Sequence, residues 1–178
     1  MDKNMVKMIV CLVAIAIVTA ALLAVVNGLT APVIEKNNQQ QLEDSLREVL
    51  SADQFDIVSD ENGVTVYSAK KGGNLVGHCV VNSEKGYGGD VKVMTGVLLD
   101  GSVNKVAILE HGETPGLGAN AEKADFINQF IGKIKGVKVN KNSPAGNEIK
   151  AISGATITST AVTNAVNAAI EFAEEAAK

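Results

Sequence analysis

VKVMTGVLLDGSVNKVAILE, running from Val91 to Glu110, decides how the second part of this 178-residue chain folds. Two segments rich in β-branched residues, VKVMTGVLL and VNKVAILE, flank Asp100-Gly101, a pair suited to a two-residue turn with positive φ. The stretch therefore predicts an antiparallel hairpin. Asn62-Gly63 ahead of VTVYSA predicts a second hairpin, and LVGHCVVN, Leu75 to Asn82, a further strand. GYGG, Gly86 to Gly89, reads as a loop whose backbone can approach a neighbour closely. Past the Val91–Glu110 hairpin come the glycine-rich HGETPGLG, a helix from about Asn120 to Phe130, a short segment near Val137 and a last helix from about Ile157. In that helix Val162, Ala165, Val166, Ala169, Ile170 and Ala173 share a stripe that leaves out Glu171, Glu174 and Glu175, as packing on a sheet requires. A run of strands followed by helices gives the α+β class, an antiparallel-rich sheet packed with helices. The sequence carries no internal repeat.

Ahead of this domain, Met8 to Val26 is an uncharged apolar run, MIVCLVAIAIVTAALLAVV, whose helical length matches a hydrocarbon core of about 30 Å. A cleaved signal peptide would stop sooner at a small-residue site, and a lipid-modified Cys11 would follow small residues rather than Ile9-Val10. The run is read as an uncleaved single transmembrane helix. Lys3 and Lys7 precede it and Lys36 is the first basic residue after it, which places the N-terminus in the cytoplasm and the rest of the chain outside. Pro32 is expected to end or kink the helix, and Glu35 to Leu50 to resume as an amphipathic stalk with Leu42, Leu46, Val49 and Leu50 on one face. The expected division is a cytoplasmic segment 1–7, a span 8–29, a helical stalk 30–52 and an extracytoplasmic domain 53–178.

Sixteen Lys+Arg against 20 Asp+Glu, with Arg47 the single arginine, argue against a nucleic-acid binder. Two cysteines, Cys11 and Cys79, form neither a disulfide framework nor a four-cysteine zinc site. His78 and Cys79 are adjacent and would point to opposite faces of a strand, so they make no thiolate–imidazole pair. His111 and Glu113 lack a third ligand nearby, and no metal site is expected. Neither a G-x-G-x-x-G nor a G-x-x-x-x-G-K-[ST] motif is present.

Two segments are left that can carry chemistry. HGETPGLG, His111 to Gly118, packs three glycines and a proline around one carboxylate and one hydroxyl, either as a plain connection or as a loop laid against a flat polar ligand. ISGATITST, Ile152 to Thr160, gathers five hydroxyls at a helix start, where free N–H groups and the dipole favour an anion. Capping by Ser153, Thr156, Thr158 or Ser159 needs only one of them.

SGATITS resembles the S(T)GAT signature of the FMN-binding domain family, in which the final threonine carries FMN through a phosphoester bond. HGETPGLG and GYGG resemble that family's other two loops in the same order, and with the single span the chain is similar to the G-subunit family of Rnf electron-transport complexes. That family's longer relative is the C subunit of the Na+-translocating NADH:quinone oxidoreductase. The resemblance implies a covalent phosphothreonyl FMN on Thr156, with Ser153, Gly154 and Ala155 forming the turn around the phosphate. It also implies that Glu113, Thr114, Leu117 and Gly118, with Tyr87 and Gly88, lie against the isoalloxazine ring. Where the family's attachment motif has Asp three residues before the serine, this chain has Lys150, which bears on recognition by the attaching enzyme.

The function implied is a flavoprotein subunit of an ion-translocating oxidoreductase that relays electrons and is not catalytic alone. Its expected partners are the other membrane subunits of an Rnf-type ferredoxin:NAD complex, coupled to Na+ or H+ translocation, and a flavin transferase. Two alternatives stand beside it: a stand-alone membrane-anchored FMN protein in extracytoplasmic electron transfer, and a non-redox, pilin-like assembly protein. The pilin-like reading wants an acidic residue early in the span, and Met8 to Val26 has none.

Overall fold

A computed structural model of the chain describes residues 3–177. The first element, α1 (Lys3–Val49), is one helix, the only one among the described residues long and apolar enough to cross a membrane. Large apolar side chains from Met8 to Ile34 are exposed along it, as a lipid-facing span requires. The helix does not end at Pro32. Proline removes a single backbone donor, and α1 runs on past it to Val49.

From Leu42 onward the chain is a compact unit of its own. Five strands follow in a meander: β1 (Gln54–Glu61), β2 (Val64–Lys71), β3 (Asn74–Lys85), β4 (Asp90–Leu98) and β5 (Val103–His111). They pair antiparallel in sequence order. Asn62 and Gly63 both take positive φ in the β1–β2 turn, as expected, and Gly72-Gly73 makes the same kind of turn between β2 and β3. The β4–β5 turn is longer than two residues. Leu98 N–H donates to the Ser102 carbonyl and Gly101 N–H to that of Leu98, both at 2.9 Å, and only Gly101 has positive φ. This is a three-residue loop with a glycine bulge, and Asp100 stays right-handed because its carboxylate accepts from the Ser102 amide and hydroxyl.

The sheet buries both faces. Against one lies α3 (Thr156–Ala176), with all six stripe residues buried among Val66, Val80, Val91, Val93 and Val106. Full burial of Val162, Val166 and Ile170 contributes about 1.5–3 kcal/mol each. Against the other lies the last part of α1, where Leu46, Val49 and Leu50 meet Ala69, Cys79, Val81 and Met94. The approach is close because Gly96 has no Cβ: one there would come within 2.5 Å of the Val49 carbonyl. Asn104 Nδ2 also donates to that carbonyl, at 2.6 Å.

The continuous helix expected from Asn120 to Phe130 is broken into a tight turn at Gly118–Glu122, α2 (Ala124–Ile127) and a second tight turn at Asn128–Phe130. Lys123 is the break, extended at φ −71° and ψ 141°. The break lets Ala121, Phe126 and Phe130 all reach the core. The segment near Val137 leads into β6 (Lys138–Asn140), which pairs parallel with β7 (Glu148–Lys150).

Candidate functional site

Antiparallel order brings the end of β3, the start of β4 and the end of β5 to one edge of the sheet. The GYGG loop and the HGETPGLG loop therefore emerge side by side. Their glycines serve each other. A Cβ on Gly88 would overlap the Gly112 carbonyl, and one on Gly112 would come within 2.8 Å of the Gly88 carbonyl. The N-terminus of α3 completes the group.

Glu113 joins the three segments. Its side chain is buried, with 6% exposure, and both oxygens are occupied. Oε1 accepts from the Tyr87 and Gly88 amides at 2.7 and 3.2 Å, and Oε2 from Thr158 Oγ1 at 2.7 Å. Burial alone would raise its pKa. The hydrogen bonds from Thr158, Gly88 and Tyr87, with nearby His111, outweigh burial and hold the carboxyl below its ordinary range. His111 Nδ1 accepts from the Glu113 amide at 3.1 Å, and its Nε2 lies 3.0 Å from Glu122 Oε1.

At the start of α3 the expected capping does not occur. Ala155 is the N-cap, and no side chain bonds the free amides of the first turn. Thr158 donates to Glu113. Ser159 Oγ donates to the Ala155 carbonyl and accepts from the Ile152 amide, both at 2.9 Å, so it braces the turn from behind. Thr160 Oγ1 donates to the Thr156 carbonyl at 2.9 Å. Ser153 is exposed, Thr156 half-buried, and Gly154 turns the chain at φ +76°.

These segments enclose a cleft of about 430 Å³, within the range of small-molecule and cofactor sites. Tyr87, Glu113, Thr114, Leu117, Gly118, Gly154, Ala155 and Thr156 line it, eight of the ten residues expected at the site. Gly88 stands behind Glu113 as a donor, and Ser153 lies outside the lining. Ile157 and Thr158 also line it and were not anticipated as site residues. The periodicity of α3 could have placed Thr158 beneath its first turn, and a lone loop carboxylate needs such a donor. Tyr87, Leu117 and Ile157 expose 75%, 47% and 55% of their surface, giving the mouth an apolar rim. Lys150 lies three residues before Ser153 on β7, its backbone clamped by Gln129 and its side chain exposed.

Among the described residues no cluster of three His, Cys, Asp or Glu side chains could hold a metal. Cys79 packs against the α1 side of the sheet while His78 faces the other side near Ala173, so the two are separated as expected. Burial pushes the Cys79 thiol up to about 12, which leaves it inert.

A cleft with an apolar rim and free helix-terminal amides, behind one apolar helix, defines a membrane-anchored cofactor-binding domain, and residues 86–171 match the family model of the FMN-binding domain. Residues 1–49 match that of the RnfG N-terminal region. The chain is 37% identical to the G subunit of the proton-translocating ferredoxin:NAD(+) oxidoreductase complex of Clostridium ljungdahlii, over 86% of this chain and 83% of that one. It is 34% identical to the G subunit of the Na(+)-translocating ferredoxin:NAD(+) oxidoreductase complex of Acetobacterium woodii, over 99% and 95%. The crystal structure of the C subunit of Na(+)-translocating NADH-quinone reductase from Parabacteroides distasonis superimposes with a TM-score of 0.55 at 25% identity, over 65% of this chain and 63% of that one. The chain belongs to the G-subunit family of Rnf-type ion-translocating oxidoreductase complexes.

Proposed function

We propose that this chain relays electrons through an FMN carried covalently on Thr156, as part of a membrane complex that passes electrons between ferredoxin and NAD and couples the transfer to Na+ or H+ movement. The observation that carries the reading is the uncapped start of α3, opening into a cleft that Thr156 lines. The hydroxyl competition supports Thr156. Thr158, Ser159 and Thr160 each donate to an acceptor of the chain, and Ser153 lies outside the lining.

The residues present fit FMN. Free amides and the positive dipole end of α3 suit a phosphate diester, Gly154 lets the turn wrap it, and Leu117 and Ile157 supply apolar surface for a flat ring. When bound, FMN supplies one- and two-electron redox chemistry. The chain's own part is to fix the phosphate at the helix start, keep water from the ring with the apolar rim, and set the surrounding charge.

A hydroxyl does not esterify itself at neutral pH. Attachment makes a bond from Thr156 Oγ1 to phosphorus, breaks an anhydride bond of an activated flavin donor, and releases the hydroxyl proton and a nucleotide. A separate flavin transferase is therefore required, and it must act where the domain lies. Lys3 and Lys7 before the span, with Lys36 the first basic residue after it, favour the outer side of the membrane.

The test is a denaturing gel read by flavin fluorescence on chain co-produced with its transferase. Wild type should fluoresce and Thr156→Ala should be dark. Fluorescence surviving in Thr156→Ala contradicts the assignment. A dark wild-type band contradicts covalent attachment to this chain, and fluorescence restored by Lys150→Asp would then identify Lys150 as the obstacle.

A further inference from the structure

Glu113 is a buried carboxylate that makes no ion pair among the described residues, yet it is held ionised by donors from two directions: the Tyr87 and Gly88 amides on Oε1, and Thr158 Oγ1 on Oε2. Glycines leave it room on both sides, since a Cβ on Gly86 would overlap Oε1 and one on Gly118 would overlap Oε2. Both oxygens are thus engaged by the chain itself.

We propose that Glu113 is the positioning residue of this site: its carboxylate ties the Tyr87–Gly88 loop to the first turn of α3, and its fixed negative charge in the cleft wall makes the bound flavin harder to reduce. The second half rests on the flavin reading above, and the first does not. Charge-assisted bonds from two amides and one hydroxyl are each stronger than neutral ones, so the tie holds both walls of the cleft in one geometry. A negative charge in a partly dry cleft opposes the addition of electrons beside it.

Two substitutions separate the effects. In Glu113→Gln the amide oxygen still accepts from Tyr87 and Gly88, and the amide nitrogen donates to the Thr158 hydroxyl, which is free to accept. The geometry stays and the charge goes. Glu113→Ala removes both. The full chain, in detergent and co-produced with the transferase, is followed by hydrogen–deuterium exchange in the peptide containing Tyr87 and Gly88 and by redox titration of the bound FMN. Glu113→Ala is expected to speed exchange there by at least about tenfold, whereas Glu113→Gln stays within roughly threefold of wild type. Glu113→Gln is expected to shift the midpoint potential upward. Should Glu113→Ala not fold, Thr158→Val cuts only the α3 end of the tie and is expected to speed the same exchange several-fold. Unchanged exchange in the folded alanine or valine variant, or an unchanged or lowered potential in Glu113→Gln, overturns the proposal. Absence of flavin from wild type would instead sink the flavin reading, while the exchange comparison still decides the tie.

Discussion

Gly118→Ala puts a single methyl group into the packing around Glu113. Gly118 is buried at the start of the Gly118–Glu122 turn, and its φ is not positive, so the backbone accepts alanine without strain. The space does not. The new Cβ would overlap Glu113 Oε2 and lie 2.8 Å from Thr158 Oγ1 and 2.9 Å from Glu113 Cβ. The carboxylate has to move, and the Thr158 hydrogen bond goes with it. Overpacking costs about 1–3 kcal/mol and the lost charged hydrogen bond about 1.5–3, offset by about 0.4–1 from the stiffer unfolded chain. The net loss is about 2–5 kcal/mol, a large part of a typical stability of about 5–15. At about 2–4 °C per kcal/mol the Tm should fall by roughly 10 °C. Calorimetry of the full chain in detergent reads this, with Gly116→Ala as the control. Gly116 has φ +80° and open space around it, so alanine there costs only the left-handed backbone strain, about 1 kcal/mol. A Gly118→Ala melting point at or above that of Gly116→Ala would refute the packing argument.

Burial lowers the pKa of His78, so the folded state favours its neutral form. The associated stability is present above the unfolded pKa of about 6.5 and is lost as pH falls through that value towards the depressed folded pKa. The urea midpoint should therefore drop between about pH 7.5 and 5.5, and by less in His78→Gln; identical pH slopes would refute this. Leu117→Ala should keep FMN attached while shifting its absorption or potential, and complete loss of flavin from a folded variant would move the attachment role to that loop. In a background lacking Cys11, with Cys79 silent because it is buried, an impermeant thiol reagent on intact cells should label Asp125→Cys and spare Lys3→Cys. The reverse pattern inverts the topology.

Periodicity made the framework legible. The α3 stripe, the Leu42–Leu50 face and the strands around Asn62-Gly63 and Asp100-Gly101 all lie where the apolar spacing puts them. Local features that depend on tertiary partners were not. The Asp100 carboxylate turns back onto Ser102 and leaves only Gly101 with positive φ. Lys123 breaks a plausible helix so that Phe126 and Phe130 can reach the core. At the site, glycine content flagged both loops, yet the glycines make room for each other and for Glu113 as much as for a ligand. The hydroxyl cluster was visible as a cluster. Its division of labour was not, because the acceptor of Thr158 is Glu113, 45 residues away in sequence.

Attachment of FMN at Thr156 is open to direct measurement by mass spectrometry of the digested chain. Trypsin cuts after Lys150 and releases Ala151 to Lys178, a peptide containing Ser153, Thr156, Thr158, Ser159 and Thr160. This peptide is expected to carry FMN less one water, with fragmentation placing the addition on Thr156. The addition on any other residue, or an unmodified peptide from chain matured with its transferase, would contradict the assignment.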